Sequence, residues 1–86
     1  MKIQLHRQFR RQYKKLPKQS RRHVNDALEI FRKNPFDPSL ENHPLSGTMK
    51  GQRAISAGFD LRIIFQEKDG YAVVLMITVG THEQVY

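Results

Sequence analysis

The chain opens on an alternation. Ile3 and Leu5 fall on one side of residues 2 to 5, Lys2 and Gln4 on the other, which is the period of a short strand. The period then lengthens. Phe9, Tyr13 and Leu16 are spaced i, i+4, i+7 and so share one helical face; Pro17 closes that helix or opens the next at its first turn. From Lys18 the apolar positions Val24, Ala27, Leu28 and Phe31 repeat at i, i+3, i+4, i+7. Asn34-Pro35 stops this second helix, because a residue before proline is pushed out of the helical region. Two consecutive amphipathic helices joined at a proline make a helical hairpin.

Residues 35 to 51 read PFDPSLENHPLSGTMKG and hold three of the four prolines, so they predict a loop with a helical turn inside it. Gln52 to Ser56 alternates as a strand, and Gly58 marks a turn. Leu61, Ile63 and Phe65 then alternate with Asp60, Arg62 and Ile64, giving a strand with a core face and a polar face. Lys68-Asp69-Gly70 is a hairpin signal. Tyr71 to Val79 is nearly all apolar, as in a central strand covered on both faces. Gly80 breaks it, and GTHEQVY finishes the chain as a tail. The order β-α-α-β-β-β predicts an α+β fold in one domain, residues 1–86: an antiparallel sheet with an N-terminal helical hairpin packed on one face. The last three strands need only short turns and should be sequential neighbours.

Charge changes the picture. The 86 residues carry 15 Lys and Arg against 8 Asp and Glu, a net +7. Nine of those bases (Lys2, Arg7, Arg10, Arg11, Lys14, Lys15, Lys18, Arg21, Arg22) lie in residues 1 to 25 with no acid among them, while residues 26 to 86 sum to 6 − 8 = −2. Arg7, Arg11, Lys14 and Lys18 fall at i, i+4, i+7, i+11, a stripe opposite Phe9 and Tyr13. A solvated helix face normally mixes signs, whereas a one-sign face repels itself and points to a polyanionic partner. Nucleic acid comes first. An anionic membrane surface comes second, since there is no Trp for anchoring and no surplus of apolar positions. An acidic protein is also open.

Other classes fall away. A chain this short buries roughly 60–65% of its unfolded surface, which leaves little room for a large cofactor. The absence of cysteine excludes disulfides, thiolate metal sites and thiol nucleophiles, and fits a cytoplasmic protein. No apolar run reaches the roughly 18–20 residues of a membrane span, and no apolar segment follows Met1-Lys2-Ile3 as a signal peptide needs. His43 and His82 alone make no metal set, so neither metal nor cofactor is expected.

The remaining chemistry sits on the strands. Asp60 and Arg62 are i, i+2 and point the same way, and Arg53 on the preceding strand is placed to face them. One reading is a cross-strand ion pair on a solvated sheet face. The other is a site for metal-free RNA cleavage, with His43 and His82 nearby. That reaction needs a base for the 2′-hydroxyl, an acid for the leaving 5′-oxygen and cations for the phosphorane. Histidine serves as acid or base near neutrality, and arginine grips phosphate bidentately.

The segments NHPLSGTMKGQRAIS, FDLRIIF and GTHEQVY, in this strand and helix order, resemble the RelE/ParE superfamily of bacterial toxins, and most of all its YafQ branch of ribosome-dependent mRNA interferases. Carried over residue by residue, the loop histidine is His43, the Lys-Gly-x-Arg is Lys50, Gly51 and Arg53, the strand aspartate is Asp60, and the C-terminal histidine and aromatic are His82 and Tyr86. The chain departs at Ser56, where the pattern often has histidine, and at Leu61, where it has tryptophan. The resemblance implies a toxin that cuts mRNA in the ribosomal A site. His82 would be the general acid and Asp60 or His43 the base; Arg53, Arg62 and Lys50 would hold the phosphate, and Tyr86 would stack on a base. Arg7, Arg11, Lys14 and Lys18 would bind ribosomal RNA. It also implies a cognate acidic antitoxin in a heteromeric complex, the free toxin being a monomer. A ParE-like toxin that inhibits DNA gyrase without cleavage, and a basic nucleic-acid-binding module, stay open as alternatives.

Overall fold

The computed structural model describes all 86 residues. β1 (Lys2–Leu5) runs into α1 (Arg7–Lys15), which His6 caps: its Nδ1 accepts from the Gln8 N–H at 3.0 Å. Leu16 and Pro17 are both extended (ψ 146° and 156°), so the proline separates α1 from α2 (Lys18–Lys33). Lys18 therefore starts the second helix, and the continuous basic stripe ends at Lys14 on the first. The Arg21 guanidinium donates to the Leu16 carbonyl at 2.7 Å and satisfies an oxygen that the end of α1 leaves open. α2 stops at Asn34, extended before Pro35.

The proline-rich segment forms two short 3₁₀ turns, Pro38–Leu40 and Gly47–Met49, on either side of a two-residue strand, β2 (His43–Pro44). β3 (Arg53–Ala57), β4 (Leu61–Lys68) and β5 (Val73–Thr81) follow as the expected meander, and α3 (His82–Val85) ends the chain. The sheet order is β1-β5-β4-β3-β2. It is antiparallel from β2 to β5, and β1 joins β5 in parallel, from Lys2 opposite Val73 to Leu5 opposite Met76. The long connection through both helices permits that parallel pairing.

Both faces of the sheet are covered. α1 and α2 place Phe9, Val24, Ala27 and Phe31 on Ile55, Ile63, Phe65, Met76 and Val79. Phe31 meets Phe65 edge-on, with ring centroids 5.1 Å apart. On the opposite face Ala54, Ile64 and Val85 form a smaller cluster, flanked by Leu45 and Met49. This second layer explains why Ile64 interrupts the alternation of β4. In β5, Ile64 pairs with Thr78 but Phe65 with Met76, so Ile77 is an extra, bulged residue. The bulge turns Thr78 and Gly80 to the second face while Met76 and Val79 both face the helices.

β1 ends before β5 does. Past it, α1 supplies the missing partners: Gln8 Nε2 donates to Thr78 Oγ1 at 2.7 Å, and Gln12 Oε1 accepts from the Val79 N–H at 2.9 Å. No helix is long and apolar enough to cross a membrane.

Candidate functional site

The second sheet face carries the chemistry, and Gly80 makes it possible. The strand does not stop at this glycine; it continues to Thr81, and the expected tail folds back as α3. A Cβ on Gly80 would lie 2.8 Å from Gln84 Oε1 and 3.3 Å from Val85 Cγ1, so only glycine lets α3 lie this close. A capping box fixes the helix: Thr81 N–H donates to Gln84 Oε1 at 2.8 Å and Gln84 N–H to Thr81 Oγ1 at 3.3 Å. Val85 then seats on Ala54 and Ile64. His82 and Tyr86, one turn apart, pack edge-on with centroids 4.5 Å apart.

Arg62 lies beneath them. It stands opposite Ser56 and Gly80 in the register, and its Nη1 donates to the Leu61 carbonyl at 2.9 Å. Burial pushes the Tyr86 phenol above its usual 10.0, and the Arg62 charge partly offsets that rise. Tyr86 is therefore a neutral phenol, a hydrogen-bond donor, at any pH near neutrality. Asp60 sits in the β3–β4 turn just before β4 and lines a small recess with Thr81, His82 and Glu83. Thus Asp60, Arg62, His82 and Tyr86 come together at one end of the sheet.

His43 shares their face but not their end. It stands opposite Ala54, three strands from β5, or roughly 14 Å at the usual strand spacing. Its Nδ1 is 2.8 Å from the Glu41 carbonyl, which can only accept. That contact needs the proton on Nδ1, and in the neutral tautomer Nε2 is then the acceptor. Lys50 is exposed beside the turn whose Met49 packs on the same apolar cluster.

Arg53 does not join them. It pairs with Phe65 in the register, three positions from Arg62, so it faces the helix side. There its Nε donates to Asn42 Oδ1 at 2.8 Å and its guanidinium lies 5.7 Å from the centre of the Phe36 ring. The cross-strand meeting of Arg53 with Asp60 and Arg62 is therefore not formed. Ser56 donates to Glu41 Oε1 at 2.8 Å at the sheet margin, and Leu61 is buried in the helix-side core. The departure at Leu61 thus changes packing under the helices. Arg7 and Arg11 line a shallow groove with His6, Gln8 and Gln12. Because those glutamines bond β5, the basic stripe borders the strand that leads to His82, closer to the site than the charge segregation along the chain implies.

Sequence reasoning overlooked Thr81, Gln84, Gln8 and Gln12. The first pair had a signal: Thr-x-x-Gln is a capping-box pattern, present at the start of the tail.

A mixed sheet backed by a helical hairpin is a fold shared with solved RelE-like toxins. YafQ from E. coli strain BL21(DE3) shares the fold with a TM-score of 0.81 at 20% identity, over 98% of this chain and 96% of that one. The YoeB/ParE toxin of Agrobacterium tumefaciens has a TM-score of 0.78 at 18% identity, over 95% and 99%. The RelE of a Pyrococcus horikoshii OT3 RelE–RelB complex has 0.75 at 19%, over 98% and 97%, and an E. coli DinJ–YafQ complex 0.67 at 21%, over 98% and 96%. No curated protein matches the sequence significantly. The family described as bacterial toxin of type II toxin-antitoxin system, YafQ, matches residues 1–86, and the chain belongs to it.

Proposed function

We propose that this toxin is a ribosome-dependent mRNA endonuclease whose acid and base groups come from the protein. The convergence of Asp60, Arg62, His82 and Tyr86 at the α3 end of the second sheet face supports the reading. Asp60 takes the proton from the 2′-hydroxyl, and the 2′-oxygen attacks the adjacent phosphorus. The P–O5′ bond breaks, and His82 protonates the departing 5′-oxygen, leaving a 2′,3′-cyclic phosphate. Arg62 and Lys50 stabilise the extra negative charge on the phosphorane. Tyr86 stacks on a base and its phenol orients the nucleotide. RNA supplies its own nucleophile, so this route asks nothing of a metal.

Arg7, Arg11 and Lys14 on α1, with Lys18 on α2, are solvent-exposed and are assigned to ribosomal RNA phosphates. The solved relatives bound to DinJ and RelB support a cognate antitoxin for this chain. Its binding segment should be acidic, to match the basic helices.

The test is cleavage of mRNA on programmed ribosomes. His82→Ala and Asp60→Asn should each lose roughly 10²–10⁴-fold in rate. If both cut as the parent does, the assignment is wrong. His43 is the second candidate base, favoured by its free Nε2; then His43→Ala, and not Asp60→Asn, carries the large loss. A culture in which the toxin damages DNA while mRNA stays intact would instead identify a gyrase inhibitor.

A further inference from the structure

Phe59 is 97% exposed, far above the other large apolar side chains in water, of which Phe36 comes next at 57%. A phenylalanine in full contact with water forgoes its burial energy; what makes this one informative is the cleft it borders. The turn that carries it is held firmly. Gly58 has φ 80°, and the His23 ring packs so close that a Cβ there would meet its Nδ1 at 2.8 Å. Only glycine fits both demands, and α2 thereby fixes the turn that presents the ring.

Phe59 borders a cleft of ≈ 830 Å³ between the α1–α2 junction and the end of the β4–β5 pair. Its walls include Lys15, Gln19, His23, Asp60, Thr81 and Gln84. Asp60 and Thr81 also line the recess of His82, so the cleft and the recess adjoin across these two residues. The lining mixes apolar side chains (Leu16, Pro17, Leu61, Val79) and the Asp60 carboxylate with amides, a hydroxyl, an imidazole and the Lys15 ammonium. The apolar floor suits the face of a base, the amides and hydroxyl its edge, and Lys15, distant from Asp60 in the chain, a backbone phosphate.

We propose that Phe59 is a stacking platform for a base of the RNA strand next to the scissile phosphate, with the cleft carrying that strand past Lys15. The inference rests on the RNA-cleavage reading and names where the flanking nucleotide lies. Single-stranded RNA is held in this way elsewhere, by an aromatic face for the base and a basic groove for the backbone.

The chain contains no Trp, so Phe59→Trp creates a single fluorescent reporter at the platform. In a His82→Ala background, which keeps the RNA whole, a single-stranded oligouridylate should quench it saturably, and an abasic oligonucleotide of equal length should not. On programmed ribosomes, Phe59→Ala should lose roughly ten- to a hundredfold in kcat/KM, mostly through KM, while Phe59→Trp and Phe59→Tyr retain cleavage and Phe59→Leu does not. The Phe59 side chain is almost wholly in solvent, so all four variants should melt as the parent does. Parent-like cleavage by Phe59→Ala, with the fluorescence of the Phe59→Trp reporter unmoved while labelled RNA is seen to bind by anisotropy, overturns the proposal. So does intact cleavage by Phe59→Ala with weakened neutralisation by the co-purified antitoxin, which would give the ring to a protein partner. If the parent itself cuts no mRNA, the enzymatic reading fails and the quenching alone decides whether the platform binds RNA.

Discussion

Replacing Gly80 by alanine tests how α3 is held over the sheet. The new methyl would lie 2.8 Å from Gln84 Oε1, 3.2 Å from Gln84 Cβ and 3.3 Å from Val85 Cγ1. The carboxamide must leave, and the bond it accepts from Thr81 N–H goes with it, a loss of about 0.5–1.5 kcal/mol. The other two contacts are overpacking, at about 1–3 kcal/mol, and alanine's better backbone entropy returns about 0.5–1 kcal/mol. The net, about 0.5–4 kcal/mol, brackets what the burial of Val85 contributes, about 1.5–3 kcal/mol. The strain is therefore relieved by lifting α3 while the sheet and the helical hairpin stay folded. Hydrogen exchange should show lost protection at the Thr81, Gln84 and Tyr86 amides with β3 and β4 still protected. The melting temperature should fall by no more than about 24 °C, since lifting α3 caps the loss near about 3 kcal/mol and 1 kcal/mol is worth roughly 4–8 °C in a domain of this size. Cleavage should fall further than stability, because His82 and Tyr86 both ride on α3. Adding Gln84→Ala removes the nearest obstructing atoms, so the double variant should lose less stability than the two single losses combined. Unchanged protection at Thr81 and Gln84 with a lower melting temperature would mean that the sheet absorbs the methyl and that α3 does not depend on the glycine.

Three further outcomes follow from the geometry. Arg62→Lys should cut mRNA at least roughly tenfold more slowly, because a single ammonium cannot replace the planar fork, whereas Arg53→Lys should keep its activity and lose about 1 kcal/mol by urea unfolding. Tyr86 should titrate above 10.0 in an NMR pH series, and Arg62→Gln should raise it further by removing the charge that offsets burial. Since that pKa is raised, the unfolded chain releases the proton first, and stability should decline as pH climbs past the ordinary tyrosine value. Asp37 has the opposite sign: hydrogen bonds from the Ser39 hydroxyl and then the Ser39 N–H hold its carboxyl below 3.8, so Ser39→Ala should raise it toward that value, and its contribution to stability should be lost as pH falls below 3.8 and through the lowered pKa.

The helices and the meander were legible because each buries one face with its own period. Phe9 and Tyr13, then Val24, Ala27 and Phe31, meet Ile55, Ile63 and Phe65 as the spacings imply. The pairing of β1 was not legible. Four residues specify a strand but not a neighbour, and the parallel partner lies 73 − 2 = 71 positions away. The bulge at Ile77 was hidden because a nearly all-apolar run has no alternation to break. Of the candidate site, Asp60, Arg62, His82 and Tyr86 do stand together at one end of the sheet, but Arg53 was misplaced. Without the register of β3 on β4, the two arginines cannot be assigned to faces, since a shift of one residue exchanges them. Gly80 was misread for a related reason: in one dimension a glycine after a strand marks an end, while here it is the space in which the following helix lies.

The strand order has a consequence for synthesis. β5 is bonded on one side by β1 and on the other by β4, and it leads directly into His82. A ribosome making this chain at roughly 5–20 residues per second releases the basic hairpin first and the strand that organises the sheet near the end. Until residues 73 to 81 have emerged, β1 has no neighbour and the helix-side core lacks Val74, Met76 and Val79. A nascent chain stalled or truncated before that point holds neither a complete sheet nor the histidine at its end. Unfinished copies therefore lack the fold that defines this toxin family, which is complete only after the last strand has been released.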